Sequence, residues 1–246
     1  MEENLIQVQI ESFTYQHSRR VNLRNMRFQL GGGKPHTLFG PSGCGKSTLL
    51  SALLPDPEGV FRGQISYRTD GADMTPDEVC KKGLLGFMAQ SPALLPWRTI
   101  RENLQVPSLL NPEHLFVPDE SALVAILDSV LLPEEVLNHL PHQLSFGMKQ
   151  RIAFARALLY RPRFLLLDEV YTGLDVATVA VIEKFLVRYT SETNAVALIV
   201  THNLETTLRN KHSSLFLSHT GTLQKLPSST TTEDLTSLFV SELQYN

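Results

Sequence analysis

The stretch Gly40-Pro41-Ser42-Gly43-Cys44-Gly45-Lys46-Ser47-Thr48 has the composition of a loop built to hold phosphate. Its glycines let backbone N–H groups turn inward around an anion, and the start of a helix adds a positive dipole end. Lys46 would bring a charge to the β- and γ-phosphates, and Ser47 would offer a hydroxyl to Mg²⁺. The loop follows the apolar Thr37-Leu38-Phe39 and precedes a helical pattern over Ser47–Leu54. That strand–loop–helix setting separates a phosphate loop from an incidental glycine turn, so nucleotide binding is the expected chemistry.

A second group of chemically capable residues follows the apolar run Phe164-Leu165-Leu166-Leu167, which leads into Asp168-Glu169. Two carboxylates at the end of a buried strand are costly unless they bind a cation or meet partners. Asp168 suits a Mg²⁺ shell, directly or through water, and Glu169 is placed to orient or deprotonate an attacking water. Capping of the next segment is the plainer use of such a pair. Gln90 follows the apolar Leu84–Met88, and His202 follows Ala195–Val200. Either could be a simple polar strand end, or could reach a ligand at the carboxyl edge of a sheet.

The elements that would position these groups follow from hydrophobic pattern. Residues 5–10 alternate and are expected to form an edge strand, with a second strand over Val21–Leu30. Gly63–Tyr67 and the turn Thr69-Asp70-Gly71 predict a hairpin. Phe164–Leu167 and Ala195–Val200 are continuous apolar runs, as in strands buried on both faces, and a helix over Val176–Tyr189 separates them. From Ser91 to Tyr160 the character becomes helical, with apolar spacing over Ser121–Val130 and Ile152–Leu159. Ser228–Thr232 is a small polar linker before a final helix near Glu233–Leu243. The order implies an α/β fold with a parallel core and a helical insertion.

Leu144-Ser145-Phe146-Gly147-Met148-Lys149-Gln150-Arg151 precedes the acidic pair. Together with the phosphate loop it resembles the ATP-binding cassette (ABC) ATPases, whose signature has the form L-S-G-G-[QM]-x-Q-R. The resemblance covers nearly the whole chain, with every element in order. It implies a P-loop NTPase core over residues 1–90 and 161–246, an N-terminal antiparallel β subdomain, and a helical signature subdomain over 91–160. It further implies that Tyr15 stacks on adenine, with Phe13 as a rival, and that Gly40–Thr48 is the Walker A loop. Gln90 becomes the Q-loop glutamine that helps hold Mg²⁺ with Ser47 and Asp168. Glu169 and His202 become the catalytic glutamate and switch histidine. Ser145 and Gly147 would touch the γ-phosphate of ATP held by an opposite subunit, although Ser145 also reads as a helix N-cap. Asp175 belongs to the D-loop, Thr172-Gly173-Leu174-Asp175.

There are three departures from the family pattern. Phe146 replaces the first signature glycine and would be strained if that backbone needs positive φ. Val170 stands where proline is usual, and Thr172-Gly173 where small residues such as Ser-Ala are usual.

The segment Leu94-Leu95-Pro96-Trp97 looks like the nitrate, sulfonate and taurine importer ATPases, and a pyrimidine-precursor importer branch fits almost as well. There these side chains would line a groove for a channel subunit, or else form the chain's own core. The resemblance implies ATP and Mg²⁺ as ligands and a homodimer, or pairing with a homologous cassette. It implies transmembrane permease subunits as partners, and a periplasmic or lipid-anchored solute-binding protein acting indirectly. The chain would lie on the cytoplasmic face of the inner membrane, held through the permease. ABC proteins of DNA repair or translation, and a non-hydrolysing regulatory cassette, are the alternatives. No added regulatory domain is expected after His219.

Composition agrees. With 42% hydrophobic and 19% charged residues, the 246-residue chain has the makeup of a globular domain with a sizeable core. A formal charge of −3 gives no field for nucleic acid, and none is expected as a partner. Cys44 and Cys80 have neither metal-ligand spacing nor a disulfide framework. No apolar run approaches the ~20 residues that span a bilayer.

Overall fold

The computed structural model describes residues 4–15, 23–57, 59–111, 116–202, 213–227 and 229–243. In chain order the elements begin with strands Leu5–Tyr15 (β1), Leu23–Gly31 (β2) and Pro35–Phe39 (β3), then helix Lys46–Ala52 (α1). Strands Gly59–Thr69 (β4) and Ala72–Met74 (β5), helix Pro76–Lys81 (α2) and strand Leu85–Met88 (β6) follow. Helices Ile100–Leu110 (α3), Glu120–Ser129 (α4) and Phe146–Leu158 (α5) come next, with short 3₁₀ turns between the last two. Strand Phe164–Asp168 (β7), helix Val176–Thr193 (α6), strands Val196–Val200 (β8), Ser213–Leu217 (β9) and Leu223–Lys225 (β10), and helix Thr232–Leu243 (α7) complete the order.

The strands form two sheets. One is antiparallel, in the order β2-β1-β4-β5; the other runs β10-β9-β3-β8-β7-β6 and is parallel except at β10. The α/β class and the antiparallel β portion are as expected. The expected edge strand over residues 5–10 is corrected: β1 reaches Tyr15 and lies between β2 and β4. A register shift between Ile10 and Ser12 interrupts the alternation, which is why the run looked short. Val21 and Asn22 of the second expected strand lie outside the described residues.

The parallel strands are buried on both sides. Leu166, Leu198 and Val200 face a cluster with Leu49, Leu50 and Leu53 of the α1 region and with Ile6, Val8 and Ile10 of β1. Leu165, Leu167, Ala197 and Ile199 face a second cluster with Leu104, Leu127, Ile152 and Ile182 from α3–α6. The helices of residues 100–158 therefore pack into the same buried body as one sheet face. Each fully buried leucine contributes about 1.5–3 kcal/mol, so β7, from Phe164 to Leu167 wholly inaccessible, is a stiff platform for the acidic pair at its end.

The α3 helix was not predicted. Thr99 caps it, accepting from Glu102 N at 3.3 Å, while Glu102 Oε2 accepts from Thr99 N at 2.8 Å. The helical pattern expected over Ile152–Leu159 begins earlier: α5 starts at Phe146, inside the signature segment.

Candidate functional site

Strand order decides which side chains meet. Leu38 pairs with Val200, Val200 with Asp168, and Leu167 with Met88. The carboxyl ends of β3, β8, β7 and β6 thus finish on neighbouring rungs. The segments leaving them are the phosphate loop, Thr201-His202, Asp168-Glu169 and Ala89-Gln90, in that spatial order. This is the edge where an open α/β sheet places its ligands.

The phosphate loop is held by its own lysine. Lys46 is buried, and its Nζ donates to Gly40 O at 2.9 Å and Pro41 O at 2.8 Å. The loop also needs glycine: a Cβ on Gly40 would lie 2.1 Å from Leu217 O, and Gly45, which precedes α1, has φ 106°. Thr48 lies on α1, where its Oγ1 accepts from the Tyr15 hydroxyl at 3.3 Å. Tyr15 is partly buried beside the loop, whereas Phe13 is wholly buried and packs edge-on against it at 5.2 Å. Of the two aromatics, Tyr15 alone can offer a face to a base.

Asp168 and Glu169 are both buried, and both carboxyls are pushed above the usual carboxylate range. Desolvation is the main cause in each; it is opposed at Asp168 by the Ser47 hydroxyl, Lys46 and His202, and at Glu169 by His202 while Asp168 adds to the rise. Asp168 Oδ1 is buried without a hydrogen-bond partner. A carboxyl that meets a serine hydroxyl and keeps one oxygen orphaned fits a cation that a bound triphosphate would help to hold. Among the described residues no cluster of three or more His, Cys, Asp and Glu could hold a metal unaided. Gln90 sits exposed at the end of β6, at the same edge.

Glu169 adopts φ 54°, a left-handed conformation uncommon for this residue type, and its N–H donates to Val200 O at 2.9 Å. Thr172 Oγ1 donates to its Oε2 at 3.3 Å, and His202 Nε2 lies 2.9 Å from its Oε1. Two neighbours thus fix one carboxyl whose proton affinity burial raises.

Ser145, Gly147 and Asp175 gather elsewhere in the chain. Ser145 is exposed and caps α5, accepting from Met148 N at 3.2 Å. A Cβ on Gly147 would lie 2.9 Å from Gly173 O. Asp175 caps α6, accepting from Thr178 N at 3.0 Å and Thr178 Oγ1 at 2.7 Å, bonds that hold its carboxyl below the usual range. Phe146 is not strained: it is the first helical residue of α5 and is absent from the residues with positive φ.

Sequence reasoning did not assign roles to Thr172, Gln150 or Arg156. Gln150 Nε2 donates to Gln90 O at 3.3 Å, and Arg156 donates to Pro92 O at 3.0 Å and Ala93 O at 3.1 Å. The signal was their place on a helix that must pack against the segment leaving β6.

A family model described as ABC transporter matches residues 23–172, from β2 to the turn after Glu169. The chain belongs to the ABC transporter family. It is 40% identical over 193 residues to the lipoprotein-releasing system ATP-binding protein LolD of Novosphingobium aromaticivorans, covering 76% of this chain and 84% of that one. It is 36% identical over 183 residues to the aliphatic sulfonates import ATP-binding protein SsuB of Bacillus cereus, covering 74% and 68%. The nitrate import ATP-binding protein NrtC of Synechocystis is 32% identical, but this chain spans 27% of its length. Among solved structures, a dimeric ATP-binding cassette in a post-hydrolysis state with ADP and Pi is 27% identical, with a TM-score of 0.76, covering 90% of this chain and 99% of that one. This ABC chain is thus an ATP-hydrolysing transporter subunit with the P-loop NTPase fold. Among its described residues no helix is long and apolar enough to cross a membrane.

Proposed function

We propose that this chain is the motor subunit of an ABC importer for a small anionic solute of the nitrate, sulfonate or taurine type, with a pyrimidine precursor as the neighbouring possibility. It works as a homodimer, or paired with a homologous cassette, on the cytoplasmic face of the inner membrane. It docks there on separate permease subunits fed by a periplasmic or lipid-anchored solute-binding protein, and needs no nucleic acid.

The observation that carries the chemistry is the convergence of Lys46, Asp168, Glu169 and His202 at one sheet edge. Tyr15 stacks on the base, and residues Gly40–Thr48 wrap the phosphates. Ser47, Asp168 and Gln90 would hold Mg²⁺, which would neutralise charge building on the phosphates during transfer. Glu169, assisted by His202, orients a water and accepts its proton as the oxygen bonds to the γ-phosphorus. The bond to the β,γ-bridging oxygen then breaks, leaving ADP and inorganic phosphate. A carboxyl raised by burial is a better base near neutral pH than an exposed one. Ser145, Gly147 and Asp175 face the nucleotide of the second copy, so hydrolysis needs the closed dimer. Positioned charge does most of the catalytic work.

The importer reading rests on the loop after Gln90. Buried Asn103 clasps the Leu95 backbone from both sides, accepting from its N–H at 2.7 Å and donating to its carbonyl at 3.1 Å. Leu94 packs against the core, while Trp97 stands 71% exposed. A rigid loop presenting a bare tryptophan supports a permease contact, since tryptophan anchors interfaces. The sulfonate and nitrate import relatives support the solute class.

The test is co-purification with a permease and a ligand screen of its binding protein, followed by ATPase assays in proteoliposomes. Stimulation by nitrate, a sulfonate or taurine is expected. Stimulation by a lipoprotein-carrying partner instead would overturn the importer assignment, and stimulation by DNA or ribosomes would overturn the transport role.

A further inference from the structure

Phe146 packs against another of the departures from the family pattern, Gly173. A methyl group placed on Gly173 would lie 2.6 Å from Phe146 Cδ1 and 2.9 Å from Cε1. Such distances are shorter than packed carbon atoms tolerate. The ring therefore occupies the space that a side chain at 173 would need, and Gly173, at φ 75°, leaves that space open. Just beside it Gly147 allows the same turn to approach α5 through the Gly173 carbonyl.

The turn that Phe146 covers reaches the carboxylate. Thr172 precedes Gly173; its N–H donates to Glu169 O at 3.1 Å and its hydroxyl to Glu169 Oε2 at 3.3 Å. Leu174 N donates to Tyr171 O at 3.3 Å, which closes the turn. From the ring of Phe146 to Oε2 of Glu169 the path is one van der Waals contact, one peptide unit and one hydrogen bond.

We propose that Phe146 is a positioning residue: pressed on Gly173, it sets the turn that lets Thr172 orient the Glu169 carboxylate, so the start of α5 and the candidate base move together. The inference extends the hydrolytic role given to Glu169 above and rests on it in part. Phe146 and Gly173 form a matched pair, a large side chain accepted because its neighbour has none.

The test is a double-mutant cycle on the full chain with F146A, G173A and both, read by chemical denaturation and by ATP turnover, with T172V as a third position. The left-handed backbone at 173 penalises alanine in both backgrounds, so it cancels in the comparison, and contact alone remains. The double variant should be no worse than the poorer single variant in either readout. F146A should lower kcat about fivefold, within the range of coupling between touching residues, with KM for ATP held. In a T172V background F146A should change kcat no further, an outcome that a merely structural role would not give. Independent, multiplying effects of F146A with G173A, or with T172V, would overturn the proposal. Were the unsubstituted chain to hydrolyse nothing, the role of Glu169 would fall, and the denaturation cycle would decide the contact: additive losses there would still overturn it.

Discussion

His202 Nε2 lies 2.9 Å from Glu169 Oε1, with the histidine more than half exposed and the carboxylate nearly enclosed. The pair joins the end of β8 to the end of β7, adjacent strands paired through Asp168 and Val200. One member is exposed at that sheet edge; the other is anchored by its backbone and by Thr172. A water held between such groups has its orientation set by the protein rather than by solvent.

Removing the imidazole should therefore damage chemistry and spare folding. H202A is expected to lower kcat about a hundredfold, in the range of a lost acid–base assistant. At such an exposed position stability should change by less than about 0.5 kcal/mol. Steady-state kinetics beside a melting curve check both; near-normal turnover would remove His202 from the reaction.

Burial raises the Glu169 and Asp168 carboxyls above their unfolded values of about 4. The folded chain then holds protons that the unfolded chain has released. That stabilising contribution is complete below the unfolded value and is lost as pH rises through the raised folded value. E169Q, which cannot ionise, should melt higher than the natural chain at about pH 8 when nucleotide-free, and the gain should vanish near pH 4. Melting curves at the two pH values decide it; an equal difference at both would contradict the burial argument.

Tyr15 gives its hydroxyl to Thr48, and its ring is the proposed platform for the base. Y15A should weaken ATP binding by about 1–3 kcal/mol, the usual worth of base–aromatic stacking, and Y15F should cost far less. Titration with a fluorescent nucleotide separates them; equal losses would assign the effect to the hydroxyl.

Trp97 projects from a loop that Asn103 holds in place. W97A should leave the melting temperature of the isolated chain unchanged and abolish retention on permease-containing membranes. N103A should do both kinds of damage, because a buried amide with several partners is lost. Retention of W97A would return this loop to a purely internal role.

Much of this was legible in the sequence for a physical reason. Strands buried on both faces, such as Phe164–Leu167 and Ala195–Val200, can be read as unbroken apolar runs, and the phosphate loop carries glycines that its backbone requires. What was hidden lay where that logic breaks. The bulge after Ile10 masked the alternation that carries β1 to Tyr15. Ser213 and Ser214 are polar yet buried in β9, so no apolar run marked that strand. Thr99 and Glu102 form a legible capping box for α3, but Pro107 sits inside the helix and spoils its pattern. Phe146 looked like strain because its packing partner, Gly173, is distant in sequence. Asn203 and the segment to 212, which follow the histidine, lie outside the described residues.

The central claim is that one triphosphate is enclosed by two copies, the phosphate loop of one and Ser145 and Gly147 of the other. Sedimentation of E169Q with ATP and Mg²⁺ tests it most directly, in the presence and absence of the permease. The account predicts a dimer with ATP that carries two nucleotides and reverts to monomer with ADP. A nucleotide-saturated E169Q chain that stays monomeric in both settings would contradict it.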